Sequence, residues 1–156
     1  MLTTSSLQFI MYFYKRMGRI LAIDYGSKRV GLAVTDNLRM IASGLTTIHS
    51  KDVIKFLENY FEKETVDEIV VGEPKTMQNV KSDSARFIDP FVRHLEKKFP
   101  NKKIVRYDER FTSVLAHQTM LMGGLKKKDR QNKETVDLIS AIIILQDYMT
   151  FLESKK

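Results

Sequence analysis

Ile20-Leu21-Ala22-Ile23-Asp24-Tyr25-Gly26-Ser27-Lys28-Arg29-Val30-Gly31-Leu32-Ala33-Val34-Thr35 is the stretch on which the fold turns. Four apolar residues run into Asp24-Tyr25-Gly26-Ser27, the pattern of a strand ending in a turn. The extended pattern resumes at Arg29. A gap that short leaves no room for a helical crossover, so the two strands are expected to form an antiparallel hairpin. Gly26 and Gly31 let the backbone turn tightly and allow a bulky phosphate close to the strand.

Working outward, a third strand is expected within Met40 to Ile48. Ser50 is placed to cap a helix whose apolar positions Val53, Ile54, Leu57, Tyr60 and Phe61 recur at helical spacing. Glu68-Ile69-Val70-Val71 reads as a buried strand, stopped by Gly72 and Pro74. A helix follows from Ser82 or Ser84, with Ala85, Ile88, Phe91, Val92 and Leu95 on one face, and Pro90 is expected to kink or restart it. Lys103 to Tyr107 is the next strand, and Thr112 to Met122 a helix closed by Gly123-Gly124. Leu125 to Asn132 reads as a polar, basic, mobile loop, and Lys133 to Leu152 as a long terminal helix. Three strands joined by short turns and then helix–strand units predict an α/β domain: a mixed five-stranded sheet with helices on both faces.

The chain has 156 residues, 43% of them hydrophobic, enough for one domain with one core. The division expected is an N-terminal extension over 1–17 and a single domain over 18–156. Within the extension, the apolar run Leu7 to Tyr14 spans only about eight residues against the roughly 20 that cross a bilayer, and it lacks the marks of a secretory signal. No cysteine is present, which excludes disulfides and thiolate metal sites and fits a cytoplasmic protein. A formal charge of +7 favours a polyanionic partner, because basic surfaces gain affinity by releasing counterions from phosphates.

Acidic residues at strand ends carry the chemistry. Asp24 leaves the C-terminal end of a buried strand, where α/β proteins gather their ligands, although an Asp-x-Gly turn also arises simply because the side chain caps its own loop. Asp108-Glu109-Arg110 follows another strand, and there an exposed ion pair is the plain alternative. Asp137 lies in the first turns of the terminal helix, where a carboxylate also suits the helix dipole. Ser140, Ala141 and Ile144 follow it, a small-residue strip that lets this helix press on a sheet. Carboxylates from separate elements suit Mg²⁺ or Mn²⁺ better than histidines do. Two such ions roughly 4 Å apart activate water and stabilise the leaving oxygen in phosphodiester hydrolysis. His49, His94 and His117 have no paired ligand spacing and offer no zinc site.

Taken together, these segments resemble the YqgF family. Asp24 to Asp36 is similar to its opening signature, Val70-Val71-Gly72-Glu73-Pro74 to its second motif, and Asp108-Glu109-Arg110-Phe111-Thr112-Ser113 to its third. Lys133 through Leu145 is similar to its final helix. The resemblance runs from about Gly18 to the C-terminus, with four motifs in order. It implies a ribonuclease H-like fold and a metal-dependent nuclease. The substrates it implies are the 5′ end of pre-16S ribosomal RNA, with the small ribosomal subunit as a partner, or branched DNA such as Holliday junctions. It also implies Asp24, Glu109 and Asp137 as the catalytic, metal-holding acids. Glu73 departs from the family pattern, which is apolar there, and is either a fourth candidate ligand or a surface substitution; Lys75 departs in the same way.

Nucleic-acid contacts are expected from charge and place. Lys28 and Arg29 flank Asp24, Arg110 adjoins Glu109, and Lys126, Lys127, Lys128, Arg130 and Lys133 form a basic run before Asp137, for which a solvated loop is the plain alternative. Lys97, Lys98, Lys102 and Lys103 read instead as a solvated helix end and turn. Two other functions fit parts of the pattern. One is a catalytically weak RNA-binding factor in ribosome assembly. The other is a phosphotransferase of the actin–sugar-kinase type, for which the chain is too short and lacks further phosphate loops.

Overall fold

The computed structural model describes residues 3–73, 85–108, 123, 124 and 126–156. Helix α1 spans Thr4–Arg16, followed by β1 (Arg19–Tyr25), β2 (Arg29–Thr35) and β3 (Ala42–His49). A 3₁₀ turn at Ser50–Asp52 leads into α2 (Val53–Lys63), then β4 (Val66–Glu73), α3 (Ala85–Lys98) and β5 (Lys103–Asp108). A short helix α4 (Lys127–Gln131) precedes the long α5 (Lys133–Glu153). The five strands form one mixed sheet in the order β3-β2-β1-β4-β5. β1, β2 and β3 pair antiparallel as the two-turn meander expected, while β4 and β5 run parallel to β1.

Strand alternation sends side chains to two separate cores. Leu21 and Ile23 of β1 and Ile69 and Val71 of β4 face α2 and α3, meeting Val53, Leu57, Ile88 and Leu95. Ile20 and Ala22 of β1, Ala33 of β2 and Val70 of β4 face α5, meeting Ala141, Ile144, Leu145 and Tyr148. Helix α5 is long and apolar enough to cross a membrane by length and composition. Here its buried stripe, Ser140, Ala141, Ile144, Leu145 and Tyr148, follows helical spacing onto the sheet. Asn132 caps the helix, its side-chain oxygen accepting from the amides of Glu134 and Thr135 at 3.0 and 3.3 Å, an arrangement typically worth about 1 kcal/mol.

Four expectations are corrected. Gly31 does not clear space for a phosphate: a Cβ there would lie 2.1 Å from the carbonyl oxygen of Asp137, because the α5 backbone crosses the strand at that point. Ser50 does not cap α2; its hydroxyl donates to the Ser27 carbonyl at 2.8 Å and its amide to the Lys28 carbonyl at 3.0 Å, tying the 3₁₀ turn to the β1–β2 turn. Pro90 does not restart α3, which is continuous from Ala85 to Lys98, and the ring is exposed. Part of the presumed loop before α5 is helical, namely α4. The lysines around Pro100 stand as expected at a solvated helix end and turn, with Lys97, Lys98 and Lys103 exposed, and three of the four have partners there. Lys98 pairs with Glu58 at 2.5 Å, Lys102 donates to the Val66 carbonyl at 2.6 Å and lies over the Phe61 ring, and Lys103 pairs with Glu68 at 3.3 Å. Glu68 is a buried acid that also accepts from the Tyr148 hydroxyl, so it draws β5 and α5 onto β4. The helix expected at Thr112 to Met122 lies outside the described residues.

Candidate active site

Asp24 ends the buried run of β1 and shares the alternation of Ile20 and Ala22, so it belongs to the face covered by α5. Its register partner on β2 is Gly31. The Asp137 backbone rests on that same glycine. A residue without a side chain is therefore what lets α5 bring a second carboxylate beside Asp24. The Asp137 carboxylate accepts from Arg29 Nε at 2.9 Å. Arg29 lies two residues before Gly31 and shares its face. The turn between the strands is closed by the Gly26 amide donating to the Arg29 carbonyl at 2.9 Å.

The electrostatics follow from this geometry. Burial pushes the Asp24 carboxyl up to about 7, and the neighbouring Asp137 adds to the rise. An acid held this far above its ordinary 3.8 is short of positive charge. Arg29 pairs with Asp137, the other acid of the pair. Such a site gains from a bound cation, and oxygen donors of this kind suit a hard divalent one.

The other candidate ligands divide. Glu73 ends β4 opposite Asp108 of β5, yet it shares the alternation of Ile69 and Val71 and so belongs to the α3 face. There its carboxylate accepts from Arg106 Nη2 at 3.2 Å, and the same nitrogen donates to Asp89 of α3. The structure therefore does not bring Glu73 to Asp24. Glu109 and Arg110 lie outside the described residues, directly after Asp108 at the end of β5. Among the described residues no three His, Asp or Glu side chains form a metal-holding group. Sequence reasoning missed the Arg29–Asp137 pair and the Glu73–Arg106–Asp89 chain. Period-two alternation along β4 and β5 already separates Glu73 from Val70, but not which face Asp24 and the last helix share.

Lys28 is exposed at the β1–β2 turn, and Lys126, Lys127 and Lys128 are exposed at the start of α4, which leads through Asn132 into the helix bearing Asp137. The side chain of Arg130 lies outside the described residues. The Nδ1 atom of His49 accepts from the Lys51 amide at 3.2 Å, a local turn contact; His94 lies along a groove beside α3, and His117 lies outside the described residues.

Comparison with known proteins gives concordant matches. A family model described as "RuvX: Holliday junction resolvase" matches residues 18–150. A protein of Phocaeicola vulgatus named "Putative pre-16S rRNA nuclease" is 61% identical over 140 residues, covering 90% of this chain and 99% of its own length. One of the same name from Flavobacterium johnsoniae is 56% identical over 134 residues, covering 86% and 97%. Among solved structures, Thermus thermophilus RuvC in complex with a Holliday junction substrate superposes with a TM-score of 0.55 at 13% identity, covering 86% of this chain and 96% of that one. That likeness shows the fold, a ribonuclease H-like one.

Proposed function

The chain belongs to the RuvX (YqgF) family, whose model describes Holliday junction resolvases, and from that membership we propose that it is a metal-dependent endonuclease maturing the 5′ end of pre-16S ribosomal RNA in the cytoplasm. The names of its close relatives support the RNA substrate. The observation that carries the catalytic part is the approach of Asp137 to Asp24 across Gly31 at a strand end where burial, and then Asp137, raise the Asp24 carboxyl.

Asp24, Asp137 and Glu109, which follows the end of β5, are the acids proposed to hold Mg²⁺ or Mn²⁺. When bound, such ions supply an activated water and charge stabilisation for the leaving oxygen. The protein's own part is to hold the two described carboxylates on rigid elements, one at the end of a buried strand and one on a capped helix. Arg29 orients Asp137 through one hydrogen bond. Lys28, Lys126, Lys127 and Lys128, with Arg110 and Arg130, are proposed to hold backbone phosphates around that site. Glu73 is assigned instead to clamping the ends of β4 and β5 onto α3 through Arg106 and Asp89. Residues 18–156 are taken as the nuclease unit and 1–17 as an extension. The small ribosomal subunit is the partner such a substrate brings.

The test is cleavage of a pre-16S 5′-end transcript and a four-way DNA junction, each with Mg²⁺, Mn²⁺ or a chelator. Metal-dependent cleavage at a defined site in the transcript is expected. Preference for the junction would move the substrate to DNA, and no cleavage of either would leave a binding factor in ribosome assembly.

A further inference from the structure

Helix α3 separates its charges. Arg86, Arg93 and Lys97 fall on one exposed stripe at positions i, i+7 and i+11, whereas Asp89 and Glu96 lie together on the flank nearer β5. Asp89 is taken up by Arg106. Two adjoining grooves follow the basic stripe. One, of 420 Å³, lies between α3 and the 3₁₀ turn and includes Tyr25, Lys51, Arg86 and Phe87. The other, of 490 Å³, continues along Pro90, Arg93, His94 and Lys97. From Arg86 to Lys97 the stripe spans about 16 Å.

Three features give these grooves a chemical character. Lys51, Arg93 and Lys97 are exposed and make no ion pair among the described residues. Phe87 is 45% exposed, and the Arg86 guanidinium lies 5.2 Å from its ring centre, a ready platform for a flat π-system. The groove also starts at the active edge. Tyr25 directly follows Asp24 and stacks on Phe91 of α3 at 4.1 Å, and the 3₁₀ turn bearing Lys51 is bonded to the β1–β2 turn through Ser50.

We infer that this groove is a second nucleic-acid tract, carrying a single-stranded RNA flank of the substrate from Asp24 along α3. Cations spaced along a channel with an exposed aromatic ring are what a single strand needs: charge for the backbone and a surface on which bases stack. A duplex has no free base faces to offer Phe87. A second copy of this chain would set one basic stripe against another. The tract rests on the nuclease reading and extends it to the face of the sheet opposite Asp137.

The test measures binding in chelator, so that it does not depend on cleavage. The probes are a labelled uridine oligonucleotide and an RNA duplex, each about 12 residues long and within the roughly 4 to 16 nucleotides such sites cover. The combined variant Lys51→Ala, Arg93→Ala, Lys97→Ala is expected to lower the slope of log affinity against log salt for the single strand by about 2, at roughly 0.7 per lost contact. Phe87→Ala is expected to weaken the single strand at least about fivefold, the low end of the stacking range. Both variants should bind the duplex as wild type does and cleave a substrate without single-stranded flanks at the wild-type rate. Wild-type affinity and slope for the oligonucleotide in both variants would overturn the tract, as would equal losses on duplex. A wild-type dimer that the triple variant converts to monomer would overturn it in favour of self-association. Failure of the nuclease reading is distinct: it would appear as no cleavage of any substrate, whatever the binding.

Discussion

Asp24 is the residue on which the proposed chemistry rests, and its titration makes a prediction. Unfolded, its carboxyl ionises at the ordinary 3.8; folded, burial and then Asp137 push it up to about 7. Between those values the unfolded chain has released a proton that the folded chain retains. This group's contribution therefore makes stability fall as pH rises through that window, by up to about 1.4 kcal/mol per pH unit, and the deficit persists above it. A divalent cation at Asp24 removes the deficit. Millimolar Mg²⁺ is accordingly expected to raise the melting temperature clearly at pH 8 and hardly at pH 5, and Asp137→Asn to reduce the difference. Equal shifts at both pH values would mean that the ion binds elsewhere. Asp24 and Asp137 were legible in the sequence because each stands beside apolar residues that fix its element. Arg29 was legible only as a cation: its partner lies 108 residues away, and no local pattern reports that. Glu73 stayed open between ligand and surface residue because its place at a strand end is visible in the sequence, while the face that Asp24 and the last helix share is not.

Among the elements, α5 and the strands beneath it set the site, and two glycines test that packing differently. At Gly31 an added methyl would meet the Asp137 carbonyl oxygen at 2.1 Å and its carbon at 2.6 Å, both backbone, so the helix itself must shift. At Gly44 the nearest atoms belong to the Leu138 side chain, at 2.9 to 3.1 Å, which can change rotamer. Gly31→Ala is expected to cost about 2 to 3 kcal/mol in urea unfolding and to abolish cleavage, while Gly44→Ala costs about 1 kcal/mol and keeps it. Equal costs would mean that α5 does not seat on Gly31. The strands were legible because short apolar runs bounded by Gly and Asp have few other solutions. Gly31 was misread because a glycine in a strand admits backbone or ligand alike. Helix α4 was missed because Lys127 to Gln131 has no apolar stripe to mark it. Lys126, Lys127 and Lys128 replaced together by Ala should lower the salt slope of RNA binding by about 2, at roughly 0.7 per contact, and leave stability within about 0.5 kcal/mol. An unchanged slope would make this element a mere connection.

At the scale of the whole molecule, two cores on the two faces of one sheet leave its C-terminal strand ends as the place where separate elements meet. β1 contributes Asp24 there, β5 leads into Glu109, and α5 carries Asp137 over the top. The mixed sheet was legible from the order of its elements, because a hairpin followed by helix–strand units admits few arrangements. The basic stripe of α3 was not, since helical spacing only acquires meaning once the buried face is known. The net charge of +7 gives the nuclease a general attraction for phosphate, whereas the proposed cleavage rests on the acids. The most direct measurement is therefore Mg²⁺-dependent cleavage of the pre-16S 5′-end transcript by wild type and by Asp24→Asn, with RNA affinity and melting temperature determined on the same two proteins. The substitution keeps the side chain's shape and removes the charge a divalent ion needs. Turnover is expected to drop by at least about a hundredfold, as for loss of one charge-stabilising group, with affinity kept or tightened and the melting temperature at pH 8 level or higher. Cleavage by Asp24→Asn at the wild-type rate would contradict the metal-nuclease account.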